Sequence, residues 1–290
     1  MKRLILMILF ATLPVTAQIR TEFDRKMAEP FEPFEIIDNI YYVGTADAAV
    51  YLITSEQGHI LLDGAFAETA PQIEDNIKKL GFKMEDIKIL LNNHAHYDHA
   101  GGLALLKKRT GAKLYANRKQ AEQLKRGGKQ DFAFGDEIAF TPVKPDRRIR
   151  DKDEIRLGDV KLVVNYTPGH TKGSTTFKTT AKNGDSFYQV VFLSSLSVLD
   201  YDLVSNPNYR DIANDFRATF GFLRSLKVDI FLGSHASFFK MKEKAEALKS
   251  APGINPFVDP EGYRSFILRN EKTFLEKLAK QQAGPAKAKQ

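Results

Sequence analysis

The chain has 290 residues, 43% hydrophobic and 27% charged, which supplies a large core at the charge density of an ordinary globular domain. It contains no cysteine, which excludes disulfide bracing, thiolate metal ligands and cysteine nucleophiles. The net charge of +7 comes from Lys and Arg scattered along the chain, so a solvated surface accounts for it and no nucleic-acid face is expected.

The first eighteen residues, MKRLILMILFATLPVTAQ, combine a basic start at Lys2 and Arg3, an apolar run from Leu4 to Val15, and a small-residue exit at Thr16 and Ala17. That layout is a secretory signal peptide, too short to span a bilayer. It predicts export to the periplasm, cleavage near Ala17 or Gln18, and no membrane span afterwards.

NIYYVGT, AAVYLITSE and HILLDGA then read as successive strands. ETAPQIEDNIKKLGF sets Ile73, Ile77 and Leu80 on one helical face, with Gly81 as the stop. DIKILLNN is a buried strand that delivers the chain to His94. GLALLKKRTG reads as a helix, AKLYA as a strand and NRKQAEQLKRGG as a helix ended by glycines.

The second half repeats the order. VKLVVNYTPG, STTFKTT and SFYQVVFLSS are strands, and DIANDFRATFGFLRSLK is an amphipathic helix with Ile212, Phe216, Phe220 and Leu223 on one side. VDIFLGS is another buried strand, and residues 238 to 249 and 260 to 281 are helical. No repeat or linker divides residues 19–282, which read as one domain, followed by a frayed tail over 283–290. Two halves of strands followed by helices predict an α/β fold. In it two sheets pack face to face with helices on both outer faces, a four-layer αβ/βα sandwich.

Five of the six histidines follow predicted strand ends. His94, His96 and His99, with Asp98 among them, come after DIKILL; His170 comes after VVNYTPG and His235 after DIFLGS. His59 falls elsewhere and reads as an exposed strand residue. In HAHYDH, residues two apart point the same way, so His94 and His96 can share one ion, with Asp98 and His99 turned toward another. His170 completes the first trio and His235 the second. Imidazole and carboxylate suit zinc, and two trios leave open positions where a structural site would be closed by four ligands.

HAHYDHAGG, TPGHTKGS and LGSHASFF resemble the ligand motifs of the metallo-β-lactamase superfamily. IYYVGT, LLDGA and NPFVDPEGYRSFI are similar to segments of its third class B subclass, and the resemblance runs from about residue 30 to 270. The other two subclasses place a cysteine at the second zinc, which this chain lacks, and one of them replaces the first histidine of the motif, which is intact here as His94. The resemblance implies two zinc ions, the first held by His94, His96 and His170, the second by Asp98, His99 and His235. It also implies serines that contact the substrate carboxylate, at Ser195 and Ser197, and a carboxylate behind a ligand histidine, at Asp63.

The expected reaction is hydrolysis of the β-lactam amide in penicillins, cephalosporins and carbapenems, by water ionised between the metals, with Asp98 orienting it or passing on its proton. The expected partner is therefore a small molecule, and the expected state a monomer. The competing reading is a lactonase or thioester hydrolase of the same superfamily, which would bridge its metals with an aspartate after VVFLS. Asp200 and Asp202 keep it open, although serines occupy the matching positions. Tyr201 is the aromatic expected near the pocket, and Phe220 is expected in the core.

Overall fold

The computed structural model describes residues 19, 21–250, 253 and 255–284. The expected signal peptide and residues 285–290 of the expected tail lie outside them. Seven strands form one mixed sheet in chain order: β1 (Phe34–Ile37), β2 (Ile40–Tyr42), β3 (Tyr51–Ser55), β4 (Gly58–Leu62), β5 (Ile87–Leu91), β6 (Lys113–Ala116) and β7 (Arg147–Arg148). The first four pair antiparallel and the last four parallel. A second sheet has the order β12-β11-β10-β9-β8, made by β8 (Glu154–Leu157), β9 (Val160–Tyr166), β10 (Thr175–Asn183), β11 (Ser186–Leu193) and β12 (Ile230–Gly233), with only β11 and β12 parallel. The helices are α1 (Glu22–Met27), α2 (Ala70–Lys79), α3 (Tyr97–Ala100), α4 (Leu103–Thr110), α5 (Arg118–Arg126), α6 (Ile212–Ser225), α7 (Met241–Ser250) and α8 (Pro260–Gln282).

Strand alternation sorts the core. On β3, β4 and β5 the residues Tyr51, Ile53, Ile60, Leu62, Ile89 and Leu91 face the second sheet and join Leu162, Val164 and Phe177. Their neighbours Leu52, Leu61 and Leu90 face the other way, onto Ile73 and Ile77 of α2 and Leu103 and Leu106 of α4. Both faces of the first sheet are therefore covered, which is why its central strands read as unbroken apolar runs. On the far side Phe216 of α6 stacks on Phe220 of the same helix and on Phe274 of α8, and Phe220 meets Phe274 at a tilt, so Phe220 is core as expected. The two sheets with flanking helices are the expected four-layer α/β sandwich.

Two expectations need correcting. His59 is buried, because β4 is covered on both faces; its ring meets Phe82 edge-on at 5.1 Å. The helix expected over 238–249 is split. A 3-10 turn, Ala236–Phe239, ends at Lys240, whose φ of 56° lies in the left-handed region, before α7 begins. α1, β1, α3, β7 and β8 had no counterpart in the sequence reading.

The sheets meet at one rim, and these joints place the site. Tyr51 Oη donates to the carbonyl of Gly233 (2.6 Å), Ala49 N–H to Ser234 O (3.0 Å), and Thr175 N–H to Asn93 O (2.9 Å). The exits of β4, β5, β11 and β12 and the β9–β10 turn thus converge. Two glycines permit the close approach. A Cβ on Gly102 would lie 2.2 Å from Gly64 O, and one on Gly169, at φ 135°, would meet the Phe216 ring at 2.7 Å.

Candidate metal centre

After β5 the chain bends at Asn93, reaches His96 in an extended conformation (φ −93°, ψ 157°) and then turns into α3. The extended part sends His94 and His96 to one place, and the helical turn redirects Asp98 and His99. Ring centroids of His94, His96 and His170 form a triangle of 4.7 to 4.9 Å, and one ligand atom from each lies within 4.8 Å of the others. His94, Asp98 and His99 make a second such group. His235 joins it: its Nε2 is 3.2 Å from His99 Nε2 and 3.6 Å from Asp98 Oδ2, while Asp98 Oδ2 is 3.2 Å from His99 Nε2. All six side chains singled out from the sequence meet, with His94 between the two trios.

Burial first, and then the neighbouring imidazoles, hold His94 and His170 well below the usual histidine range, and burial pushes His96 down to about 4. These three rings are neutral at pH 7 and offer lone pairs. Burial would raise Asp98, but the charge of His99, its hydrogen bond and His235 outweigh burial and keep Asp98 ionised. Burial would lower His99 in turn; Asp98 outweighs it and raises the ring above its ordinary value.

These residues fit a metal. Ligands at about 2.0–2.1 Å around a tetrahedral zinc ion stand about 3.3 Å apart, and the three edges of the Asp98–His99–His235 trio measure 3.2, 3.2 and 3.6 Å. His94 Nδ1, His96 Nε2 and His99 Nδ1 are buried with no hydrogen-bond partner, an unpaired polar burial that is expected at a functional site rather than in a packed core. Imidazole nitrogen with one carboxylate, and no thiolate, is a donor set for zinc before softer or harder ions.

Other residues aim the rings from behind. Asp47 Oδ2 lies 3.2 Å from His235 Nδ1 and its other oxygen accepts Ser237 N–H at 2.7 Å, which turns His235 Nε2 into the cluster. His170 Nδ1–H donates to Ser197 O at 2.7 Å with the same effect. Asp63 does two things. Its Oδ1 accepts Asn93 N–H and Asn92 Nδ2–H, both at 2.7 Å, and its Oδ2 stands 3.9 Å from His99 Nδ1. Asp131 Oδ2 stands 3.9 Å from His96 Nε2.

The cluster floors a cleft of about 320 Å³ whose lining includes Ser195 and Ser197. Ser195 Oγ accepts Ser197 N–H at 3.3 Å. Tyr201 is buried behind His170, its hydroxyl donating to His170 O at 3.1 Å, so it supports the ring and does not line the cleft. Asp200 is exposed beside Lys277, and Asp202 caps the Val204 and Ser205 N–H groups. Neither reaches the histidines. Asp47, Asp131 and the Ser197 carbonyl went unnoticed in the sequence. The Asp in GTADAA, just before a strand, is the one weak signal for Asp47.

A sequence profile of the metallo-β-lactamase superfamily matches residues 43–183. Among solved structures, the native FEZ-1 metallo-β-lactamase from Legionella gormanii is 41% identical with a TM-score of 0.87, covering 89% of this chain and 99% of that one. BJP-1, a subclass B3 metallo-β-lactamase of Bradyrhizobium japonicum, is 41% identical with a TM-score of 0.84, covering 89% and 98%. A curated relative, the probable hydroxyacylglutathione hydrolase glo2 of Schizosaccharomyces pombe, is 30% identical over 148 residues, 50% of this chain and 48% of that protein. The chain spans about half the length of the curated relatives first matched.

Proposed function

This chain belongs to the metallo-β-lactamase superfamily, where it groups with the class B3 proteins, and on that premise we propose that it is a dizinc enzyme that hydrolyses the amide of β-lactam rings. That it is a metal-binding hydrolase follows from the family. The finer reading is carried by one observation: two donor trios share one cleft floor, and among the described residues no carboxylate beyond β11 lines it. His94, His96 and His170 would hold one ion, and Asp98, His99 and His235 the other.

Bound there, zinc lowers the pKa of water towards about 7 and draws charge from an amide carbonyl. The chain's own residues do the rest. Asp98, ionised in the cleft, orients the attacking water and passes its proton to the ring nitrogen as the C–N bond breaks. Ser195 and Ser197 offer hydroxyl donors to the substrate carboxylate. Asp47 and the Ser197 carbonyl keep His235 and His170 in their tautomers. We read residues 19–282 as one exported, periplasmic domain acting as a monomer; among the described residues no helix is long and apolar enough to cross a membrane.

The test is turnover of benzylpenicillin, nitrocefin and meropenem against S-lactoylglutathione and an acyl-homoserine lactone, before and after EDTA. β-Lactam opening, loss on chelation and recovery with zinc are expected. Cleavage of the thioester or lactone with every β-lactam left intact would overturn the proposal in favour of a glyoxalase-like hydrolase, as the glo2 similarity suggests.

Acid should strip the metals in order. Ligation needs neutral imidazoles. His94, His96 and His170 take up protons only well below 6.5, whereas His99, raised by Asp98, takes one up from higher pH. As pH falls from 7 to 4, the Asp98 trio therefore releases its ion first. Metal counted after dialysis at each pH should fall in two steps, and one step with simultaneous loss of both would contradict this.

A further inference from the structure

The helix α1 is too short to persist alone, yet it is fastened at both ends. Thr21 caps it, and Asp24, 2% exposed, returns a bond to Thr21 N–H. Tyr97, inside the histidine motif, donates its hydroxyl to Asp24 Oδ1 at 2.7 Å. At the other end Thr45 Oγ and Asp47 N–H both bind Met27 O, at 2.6 and 3.1 Å. The helix is thus tied to the loop that carries His96 and Asp98 and to the segment that carries Asp47.

This fastening presents one face of the helix to the cleft. Phe23 and Met27, four residues apart, lie on the same side and both line it. Facing them in the same cleft are Phe134, Ile138, Leu199 and Phe238. Met27 is buried, but Phe23 is 67% exposed. A lone exposed phenyl ring would mean little. Here it stands at the mouth of an apolar-walled cleft, on a helix anchored to the metal-binding loop. The β-lactam nucleus carries its carboxylate and amide toward polar groups, so its acylamino arm must leave along such a wall.

We propose that α1 is a fixed wall of the substrate cleft and that Phe23 selects β-lactams bearing an apolar, preferably aromatic, side arm. This rests on the β-lactamase reading, so the test has one arm that needs no turnover. The chain contains no tryptophan, and Phe23→Trp sets a single indole at the mouth. Titrating the zinc-loaded variant with ring-opened benzylpenicillin should shift its emission saturably. Ring-opened 6-aminopenicillanic acid, the same nucleus without the arm, should bind about tenfold more weakly. In the kinetic arm, Phe23→Ala should cut the ratio of kcat/KM for benzylpenicillin over 6-aminopenicillanic acid about tenfold, mainly through KM, and Phe23→Leu should restore part of it.

Equal responses of the indole to both acids, or an unchanged ratio in Phe23→Ala, would overturn the proposal. If the unmodified chain opens no β-lactam while the indole still separates the two acids, the reaction assignment fails and the role of Phe23 stands.

Discussion

Asp98→Ala is expected to lower β-lactam turnover by about 10³-fold and to reduce bound zinc by about one ion per chain. Among the described residues Asp98 is the carboxylate that meets the inward-facing nitrogens of the cluster, 3.2 Å from His99 Nε2 and 3.6 Å from His235 Nε2, whereas Asp47 meets His235 from behind at Nδ1. Without it, two imidazole nitrogens stand 3.2 Å apart with no carboxylate oxygen beside them to ligate a divalent cation directly. The His94, His96 and His170 trio keeps its donors, so one ion should remain. The proton path to the ring nitrogen is removed as well, which is why the rate should fall further than half occupancy explains. Metal analysis, nitrocefin turnover and a melting curve separate the causes: zinc loss with an intact fold supports ligation. Turnover within threefold of the parent chain would sink both roles of Asp98.

Why that cluster was legible and its supports were not comes down to range. The HAHYDH spacing is local: an extended pair followed by a turn projects ligands in two directions, whatever the rest of the chain does. His170 and His235 were found because each follows a run of buried β residues ending in Gly, the mark of a strand delivering its last residue to a rim. Asp47 carries no such mark. It reaches His235 only because β3 and β12 meet across the sheets, and Ala48 bridges to His235 beside it. The Ser197 carbonyl is a backbone group, invisible to any reading of side chains. The error at His59 has the same origin, since its exposure depends on what covers its face of β4, and that cover comes from Phe82, beyond the end of α2. α1 went unread because six residues give too little periodicity, and its stability comes from Tyr97, Thr45 and Asp47 elsewhere in the chain.

Asp63→Ala is expected to cost about 3–4 kcal/mol of stability and to lower the melting temperature by roughly 10 °C, measured on the zinc-free chain so that metal loss does not contribute. Asp63 is fully buried and its φ of 69° suits aspartate or asparagine far better than alanine. It joins two strand exits: its own N–H donates to Leu91 O at 3.0 Å, and its Oδ1 accepts from Asn92 and Asn93, which begin the ligand loop. Alanine would strand the Asn93 N–H, leave Asn92 Nδ2 only its longer bond to His99 O (3.3 Å), and add strain at the left-handed turn. Asp63→Asn isolates the second duty. It keeps the conformation and an acceptor for Asn93, so most stability should survive. Burial holds the Asp63 carboxyl up to about 6, leaving it ionised at pH 7, and asparagine removes that charge from behind His99. Zinc affinity at the Asp98 trio should then fall about tenfold in Asp63→Asn, by chelator competition, with little change at the His94 trio. Melting of Asp63→Ala within 2 °C of the parent would show that the loop holds its shape without this carboxylate, and equal weakening of both trios in Asp63→Asn would show that its charge is not felt through His99.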